Sequence, residues 1–341
     1  MKNIPYVSVI IPARNEERYI IKCLNSLLSQ DYAKDKLEVL VVDGMSQDST
    51  VQKINDFLET RREGACCVKV IHNPRKIVPC GLNIGIREAK GDFIIRMDAH
   101  SECAPDYIKN CVRHLTEKDA DNVGGLVDHR ANGIIGEAIA LAQGCRFGLG
   151  GAKFRIAKRE QHVDTVFPGA WPRRTFERYG LFDERLVRNQ DIEFNSRIRK
   201  NGGRIFLTTD IKSFYQCRDS LKGLWRQNFN NGKWVIFTKK IAPYCFSLRH
   251  FVPFAFVFSL LVTLLLGSFF RAAAFLFFAL VTSYILASFC FSILISVKNG
   301  IKYFFVMPAI FATLHFSYGL GSIWGLLTLK QMQAKTADEC F

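Results

Sequence analysis

The first 220 residues alternate short apolar runs with amphipathic segments. Residues 7–11 form an apolar run closed by Pro12, which predicts a buried strand. Residues 16–30 carry Ile20, Ile21, Leu24, Leu27 and Leu28 at helical spacing. Residues 39–42 predict a second buried strand ending in Asp43-Gly44, residues 49–58 a helix, 68–71 a third strand and 93–97 a fourth. Strands alternating with helices predict an α/β domain with a parallel, doubly wound sheet. Such sheets bind ligands at the carboxyl ends of their strands. The polar clusters fall there: Arg14-Asn15-Glu16, Asp43 to Asp48, and Asp98-Ala99-His100.

Beyond residue 250 the pattern changes. Residues 251–270, 272–297 and 303–329 contain no charged side chain. Each satisfies the roughly 20 apolar residues that a helix needs to cross a bilayer. Arg271, Lys298 with Lys302, and Lys330 mark the breaks, and the first two spans read as a tight hairpin. Three spans put the C-terminus outside if the N-terminus is inside. Lys298 and Lys302 then lie inside, as the positive-inside tendency prefers, whereas Lys330 and Lys335 point the other way. His315, within the third span, reads either as a functional group or as a hydrogen-bond partner for a neighbouring helix. Ahead of the spans, residues 221–248 mix Trp225, Phe229, Trp234, Phe237 and Tyr244 with Lys and Arg, which suits helices lying in the membrane interface.

Composition supports this division. The 341 residues carry a formal charge of +15. Lys212, Arg218, Lys222, Arg226, Lys233, Lys239, Lys240 and Arg249 gather just before the apolar region, where a basic belt reads as cytoplasmic-side anchoring. No nucleic-acid-binding module accompanies the charge, so no nucleic-acid partner is expected. The 11 cysteines include no CxxC pair and form neither a disulfide framework nor a zinc pattern, as suits a reducing cytosol. The start, Met-Lys-Asn-Ile-Pro, leads straight into the first strand without a signal peptide. The expected location is the cytoplasmic membrane, multi-pass, with the soluble domain facing the cytoplasm.

Three clusters carry candidate chemistry. Asp98 and His100, two positions apart after a strand, can both reach a divalent cation that neutralises a diphosphate. Asp43 at a strand tip can accept a hydrogen bond from a base or ribose, while Asp48 or Ser49 caps the next helix. In Asn189-Gln190-Asp191-Ile192-Glu193 a carboxylate could deprotonate an acceptor hydroxyl; acidic residues also favour a helix N-terminus. Gln227 with Gly232-Lys233-Trp234 offers a cation and an aromatic platform, or an interfacial anchor.

Taken together, Ser8 to Glu16, Val41 to Thr50 and Arg96 to His100 resemble family 2 glycosyltransferases, which have the Rossmann-like GT-A fold, use nucleotide sugars and invert at the anomeric carbon. Phe167 to Arg173, Asn189 to Glu193 and His315 to Gly321 are similar to the succinoglycan-type exopolysaccharide subgroup. The resemblance implies a GT-A domain at 1–220, interfacial helices at 221–249, about three transmembrane helices at 250–330 and a tail at 331–341. It implies that Pro12, Ala13, Glu16, Asp43 and Asp98 bind the nucleotide sugar, UDP-linked in this group's usage, and that Asp98 and His100 hold Mn²⁺ or Mg²⁺ in place of the commoner Asp-x-Asp. Asp191 would be the catalytic base, and Gly169, Ala170, Trp171 and Gln190 would shape the acceptor site. Gln227, Lys233 and Trp234 fall where processive relatives carry Gln-x-x-Arg-Trp, but with longer spacing and Lys for Arg. Lysine is the poorer bidentate clamp, so transfer of one sugar to a lipid-linked saccharide is expected ahead of processive synthesis by an oligomer. A non-catalytic membrane receptor or scaffold is the remaining reading, and the intact Asp43, Asp98, His100 and Asp191 set speaks against it.

Overall fold

A computed structural model describes residues 4–60, 66–149 and 159–331. The chain divides into two compact units, Met1–Asp128 with Lys153–Gln216, and His129–Ala152 with Cys217–Phe341.

The first unit is built on a nine-stranded sheet. Its strands are β1 (Val7–Ala13), β2 (Leu37–Asp43), β3 (Cys67–His72), β4 (Phe93–Arg96), β5 (Ser101–Cys103), β6 (Asn122–Arg130), β7 (Gln161–His162), β8 (Ala170–Pro172) and β9 (Ile205–Gln216). They run in the order β3-β2-β1-β4-β8-β6-β9-β5, with β7 on β9. The helices, in chain order through both units, are α1 (Ile20–Leu28), α2 (Thr50–Glu59), α3 (Val78–Glu88), α4 (Tyr107–Glu117), α5 (Gly133–Gln143) and α6 (Arg146–Leu149). They continue with α7 (Arg173–Tyr179), α8 (Gln190–Lys200), α9 (Leu221–Ile241), α10 (Val252–Gly267), α11 (Arg271–Asn299) and α12 (Met307–Leu327).

The expectation of a parallel sheet holds for β3, β2, β1 and β4, which are mutually parallel. Beyond β4 the sheet is mixed, because β8 runs antiparallel to both β4 and β6, and β5 and β7 run antiparallel to β9. The parallel strands are near-continuous apolar runs because both faces are covered. Val7, Val9 and Ile11 of β1 enter one core with α1 and α4, whereas Ile10 enters the other with Leu82 and Ile86 of α3 and Phe194 and Ile198 of α8. This is the two-residue alternation of a strand read on both sides. Each fully buried Ile, Leu or Val contributes about 1.5–3 kcal/mol. Helix α3 lies close on β1 because Gly85 lacks a side chain: a Cβ there would sit 2.5 Å from Cγ2 of Ile10.

The second unit is helical. Among the described residues, Leu248–Gly267, which adds a short 3₁₀ turn to α10, together with α11 and α12, are the three helices long and apolar enough to cross a membrane. The apolar helix α5 also belongs to this unit, in a cluster where Ala138, Ile139 and Ala142 meet Leu224 of α9 and Met307, Ile310, Phe311 and Leu314 of α12. His315 is part-buried here: Nδ1 is 3.0 Å from the Tyr284 hydroxyl and Nε2 is 2.7 Å from the Phe147 carbonyl oxygen. It joins helices in the way the second sequence reading anticipated.

Candidate active site

The carboxyl ends of β2, β1 and β4 lie side by side, in a register that pairs Ala13 with Asp43 and Ile10 with Arg96. After β1 the chain turns at Asn15, which adopts a left-handed backbone with φ of 57°. The turn is pinned to the loop after β2. Asn15 N–H donates to Ser46 Oγ at 2.9 Å, Gln47 N–H donates to Asn15 Oδ1 at 2.8 Å, and Glu16 N–H donates to Thr50 Oγ1 at 2.8 Å. Asp48 accepts from the Thr50 amide, the Thr50 hydroxyl and the Glu17 amide. Burial pushes the Asp48 carboxyl up, but these hydrogen bonds outweigh it and hold it below its ordinary value. The two loops therefore form one braced rim, and Asp48 does not need to act on a ligand.

Asp43 ends β2 at 2% exposure, and its carboxylate accepts the Ser46 amide at 3.2–3.3 Å. Beside it lie buried Ala13, half-buried Pro12, Gly44, and Asn73, whose amide N–H donates to the Asp43 carbonyl. Asn73 also has a buried Oδ1 with no hydrogen-bond partner, which the sequence reading missed. A Cβ on Gly44 would meet the Lys76 carbonyl oxygen and Arg14 Cβ, each at 3.3 Å, so glycine keeps this strand tip narrow.

Asp98 and His100 follow β4, and each is already engaged. Nε and Nη2 of Arg96 both lie 3.0 Å from Asp98 Oδ1. Nδ1–H of His100 donates to Glu16 Oε1 at 2.9 Å, and the His100 ring stands edge-on to Tyr215 with centroids 4.9 Å apart. A carboxylate holding one ring nitrogen of histidine is the arrangement that presents the other nitrogen to a metal. The donor set, one carboxylate and one imidazole, thus fits a hard divalent cation that takes its other ligands from phosphate and water.

Arg96 is the charge at the centre. It is 6% exposed, lies over the Phe167 ring at 5.1 Å from the centroid, and leaves Nη1 without a hydrogen-bond partner. Burial disfavours its charge, but Asp98 and then Asp191 outweigh this and hold the guanidinium more firmly protonated. Sequence reading assigned it no role, although an arginine inside the run Phe-Ile-Ile-Arg-Met was a legible signal, since buried arginine is rare unless paired.

Asp191 is the second residue of α8. The helix starts from Asn189, whose left-handed φ of 64° turns the chain, and Glu193 N–H donates to the Asn189 carbonyl. Gln190 is buried at the first position, Glu193 forms a two-pronged pair with Arg197, and Asp191 remains half-buried and within the field of Arg96. Gly169 precedes β8, and its carbonyl accepts the Arg96 amide at 3.1 Å. Ala170 and Trp171 are 0% and 3% exposed, with Trp171 packed among Phe176, Phe182 and Phe194. These two side chains belong to the cores, so any part they have in an acceptor site acts through the backbone they set. Gln227, Lys233 and Trp234 belong to the helical unit, on α9, and are not among the residues that the first unit assembles.

One further group holds ligand-type atoms together: His114, Glu160 and Asp210, within 4.8 Å of one another. Arg113 and Lys118 already pair with its carboxylates, and the Thr208 hydroxyl lies within hydrogen-bond reach of one oxygen of each. Its existing partners mark it as a network tying α4 to β9.

The profile of the Glycosyl transferase family 2 domain matches residues 8–178. A protein of Methanococcus voltae named dolichyl N-acetyl-alpha-D-glucosaminyl phosphate 3-beta-D-2,3-diacetamido-2,3-dideoxy-beta-D-glucuronosyltransferase is 28% identical over 330 residues, 94% of this chain and 97% of that one. Succinoglycan biosynthesis protein ExoA of Rhizobium meliloti is 28% identical over 227 residues, 66% of this chain and 67% of the relative. Among solved structures, mannosyltransferase PcManGT of Pyrobaculum calidifontis, in complex with GDP-Man and Mn²⁺, matches with a TM-score of 0.62 at 19% identity, over 95% of this chain and 88% of that one. That likeness is one of fold.

Proposed function

The chain belongs to glycosyl transferase family 2, with the GT-A fold, and from that premise we propose that it moves a sugar, with inversion, from a nucleotide sugar to a hydroxyl of a membrane lipid-linked saccharide during synthesis of a cell-surface polysaccharide. The observation that carries the reading is the convergence on Arg96. Asp98 from the end of β4 and Asp191 from the start of α8 both act on its buried charge, while Glu16 after β1 holds His100 beside them. The Methanococcus voltae relative, whose name makes a dolichyl phosphate-linked sugar its acceptor, and the three apolar helices support a lipid-linked acceptor. The catalytic unit faces the cytoplasm at the inner membrane in this reading.

In the proposed mechanism the strand tips at Pro12, Ala13 and Asp43 receive the nucleotide. Asp98 and His100 would hold a Mn²⁺ or Mg²⁺ ion, which would supply positive charge at the leaving nucleoside diphosphate. The Arg96 guanidinium fixes the Asp98 carboxylate and adds a charge that needs no reorganisation during reaction. Asp191 takes the proton from the acceptor hydroxyl. The hydroxyl oxygen then bonds to the anomeric carbon on the face opposite the breaking bond to the diphosphate oxygen.

The test is transfer from labelled nucleotide sugars to a polyprenyl-linked saccharide by purified protein, with and without EDTA. Asp191→Asn should bind donor normally and lose transfer by at least about a hundredfold, the lower range for a general base. Full activity of that variant would sink the assignment of the base. One added sugar, as against a ladder, separates single transfer from chain extension.

A further inference from the structure

We propose that the chain crosses the bilayer twice, not three times: α10 and α11 form a membrane hairpin, while α12 lies with α9 on the membrane surface, so that both ends of the chain are on one side.

Helices α9 and α12 touch backbone to backbone. A Cβ added to Gly321 would fall 2.0 Å from the Phe229 carbonyl oxygen, one on Gly232 2.0 Å from the Tyr318 carbonyl oxygen, and one on Gly325 2.6 Å from the Lys233 carbonyl oxygen. The Ser322 hydroxyl donates to the Gly232 carbonyl at 3.2 Å. Residue numbers rise together on the two helices, from 229 against 321 to 233 against 325, so the helices run in the same direction here with backbones touching. Whatever depth residues 318–325 occupy, residues 229–233 occupy as well.

That stretch of α9 is polar. Gln227, Asn228, Asn230, Asn231 and Lys233 fall within seven residues, and Lys222, Arg226, Lys239 and Lys240 extend the charge along the helix. Side chains of these kinds are strongly disfavoured in hydrocarbon, and a lysine stem can reach only a limited distance back to water. Residues 318–325 of α12 therefore sit at the polar interface. On either side of them α12 has only residues 307–317 and its last few positions, each far short of the roughly 20 residues that crossing requires.

Independent features agree. Half of the most apolar window of α12 is buried within the protein, against 17% for each of the other two candidate helices. The N-terminal half of α12 packs on α5, and Glu137 of α5 accepts from Lys302 Nζ at 3.0 Å and the Tyr303 hydroxyl at 2.6 Å just before α12 begins. The buried residues of α11 are Ser288, Ser292, Ile295 and Ser296, all in its second half. Its first half is left for lipid beside α10. Two spans also collect Arg249, Lys298, Lys302 and Lys330 on one side and leave Arg271 at the hairpin tip. This removes the conflict with the positive-inside tendency that three spans create. Trp225 and Trp324, both exposed, then lie in the interfacial layer, where tryptophan is enriched.

The inference rests on the membrane attachment proposed above, and one experiment separates the two. Full-length protein is prepared in sealed vesicles of each orientation, with protease-cleavable epitope tags at the N-terminus, at the C-terminus, or between Ser268 and Phe269. The terminal tags should be lost together in one orientation and survive together in the other, while the inserted tag shows the opposite pattern. Terminal tags on opposite sides would overturn the two-span topology and leave membrane attachment standing. Release of the untagged protein by alkaline carbonate would overturn both.

Discussion

Arg96 and Asp98 share a two-pronged contact in which Nε and Nη2 of the guanidinium both lie 3.0 Å from one carboxylate oxygen, Oδ1. Lysine keeps the charge but carries its donors on one nitrogen and cannot reproduce that two-nitrogen grip. Arg96→Lys should leave the fold in place and lower kcat by about a hundredfold, the scale on which a preorganised electrostatic group acts. Steady-state rates beside near-UV circular dichroism test this; a variant with unchanged kcat contradicts the place given to Arg96.

The Glu16–His100 contact has a different expected signature. Glu16→Gln removes the carboxylate that orients the imidazole. The half-saturating concentration of Mn²⁺ should rise about 10–100-fold, as for loss of an outer hydrogen bond to a metal-binding histidine. Calorimetric titration with Mn²⁺ in the presence of nucleoside diphosphate reads this without turnover. An unchanged affinity removes His100 from the metal site.

Asp210 gives a pH-dependent stability. Burial pushes its carboxyl up, but hydrogen bonds from Thr208 and His114 and the charge of Arg113 outweigh this and hold it below its ordinary value. A carboxyl lowered in the folded state adds stability above its unfolded pKa of about 3.9 and loses it as pH falls through the folded value. Asp210→Asn should therefore cost about 1–2 kcal/mol at pH 7, the scale of losing hydrogen bonds to a charged group at a partly exposed site. The gap from wild type should close progressively below pH about 4. Thermal unfolding in detergent across pH 3–7 checks it, and a gap that widens in acid reverses the sign.

Gly169 tests the packing beneath the site. A Cβ there would lie 2.4 Å from the Trp171 ring and 2.8 Å from Asn122 Oδ1. Gly169→Ala should destabilise by about 1–3 kcal/mol through overpacking. It should also lower kcat, because the Gly169 carbonyl accepts the Arg96 amide. Melting temperature and rate measured on one preparation decide whether the two effects travel together.

The strands that carry the site were legible where burial on both faces made them continuous apolar runs. Residues 7–11, 39–42 and 93–97 predict strands that the structure finds at Val7–Ala13, Leu37–Asp43 and Phe93–Arg96. Their polar tips, with Asp43, Asp98 and His100, followed from the same reading. The antiparallel half was not legible. Strand β8 is the three residues Ala-Trp-Pro, and β7 has two, both too short for a period to show. Arg96 was visible as an odd charge in an apolar strand, but its two carboxylate neighbours come from positions 98 and 191, and only folding brings the second of these close.

The sequence by itself determined which segments are apolar, which strand ends carry acid, and that the last third of the chain holds stretches long and apolar enough to cross a membrane, because each of these depends on local composition and period. The tertiary structure decided how those segments are partnered. Hydrophobic length measures what a helix can do alone, and α12 meets the requirement for a span. Its glycines, however, bring it backbone to backbone against the polar turn of α9. The depth of a helix depends on its neighbours as well as itself, so the third apolar segment could be read from the sequence while its place could not.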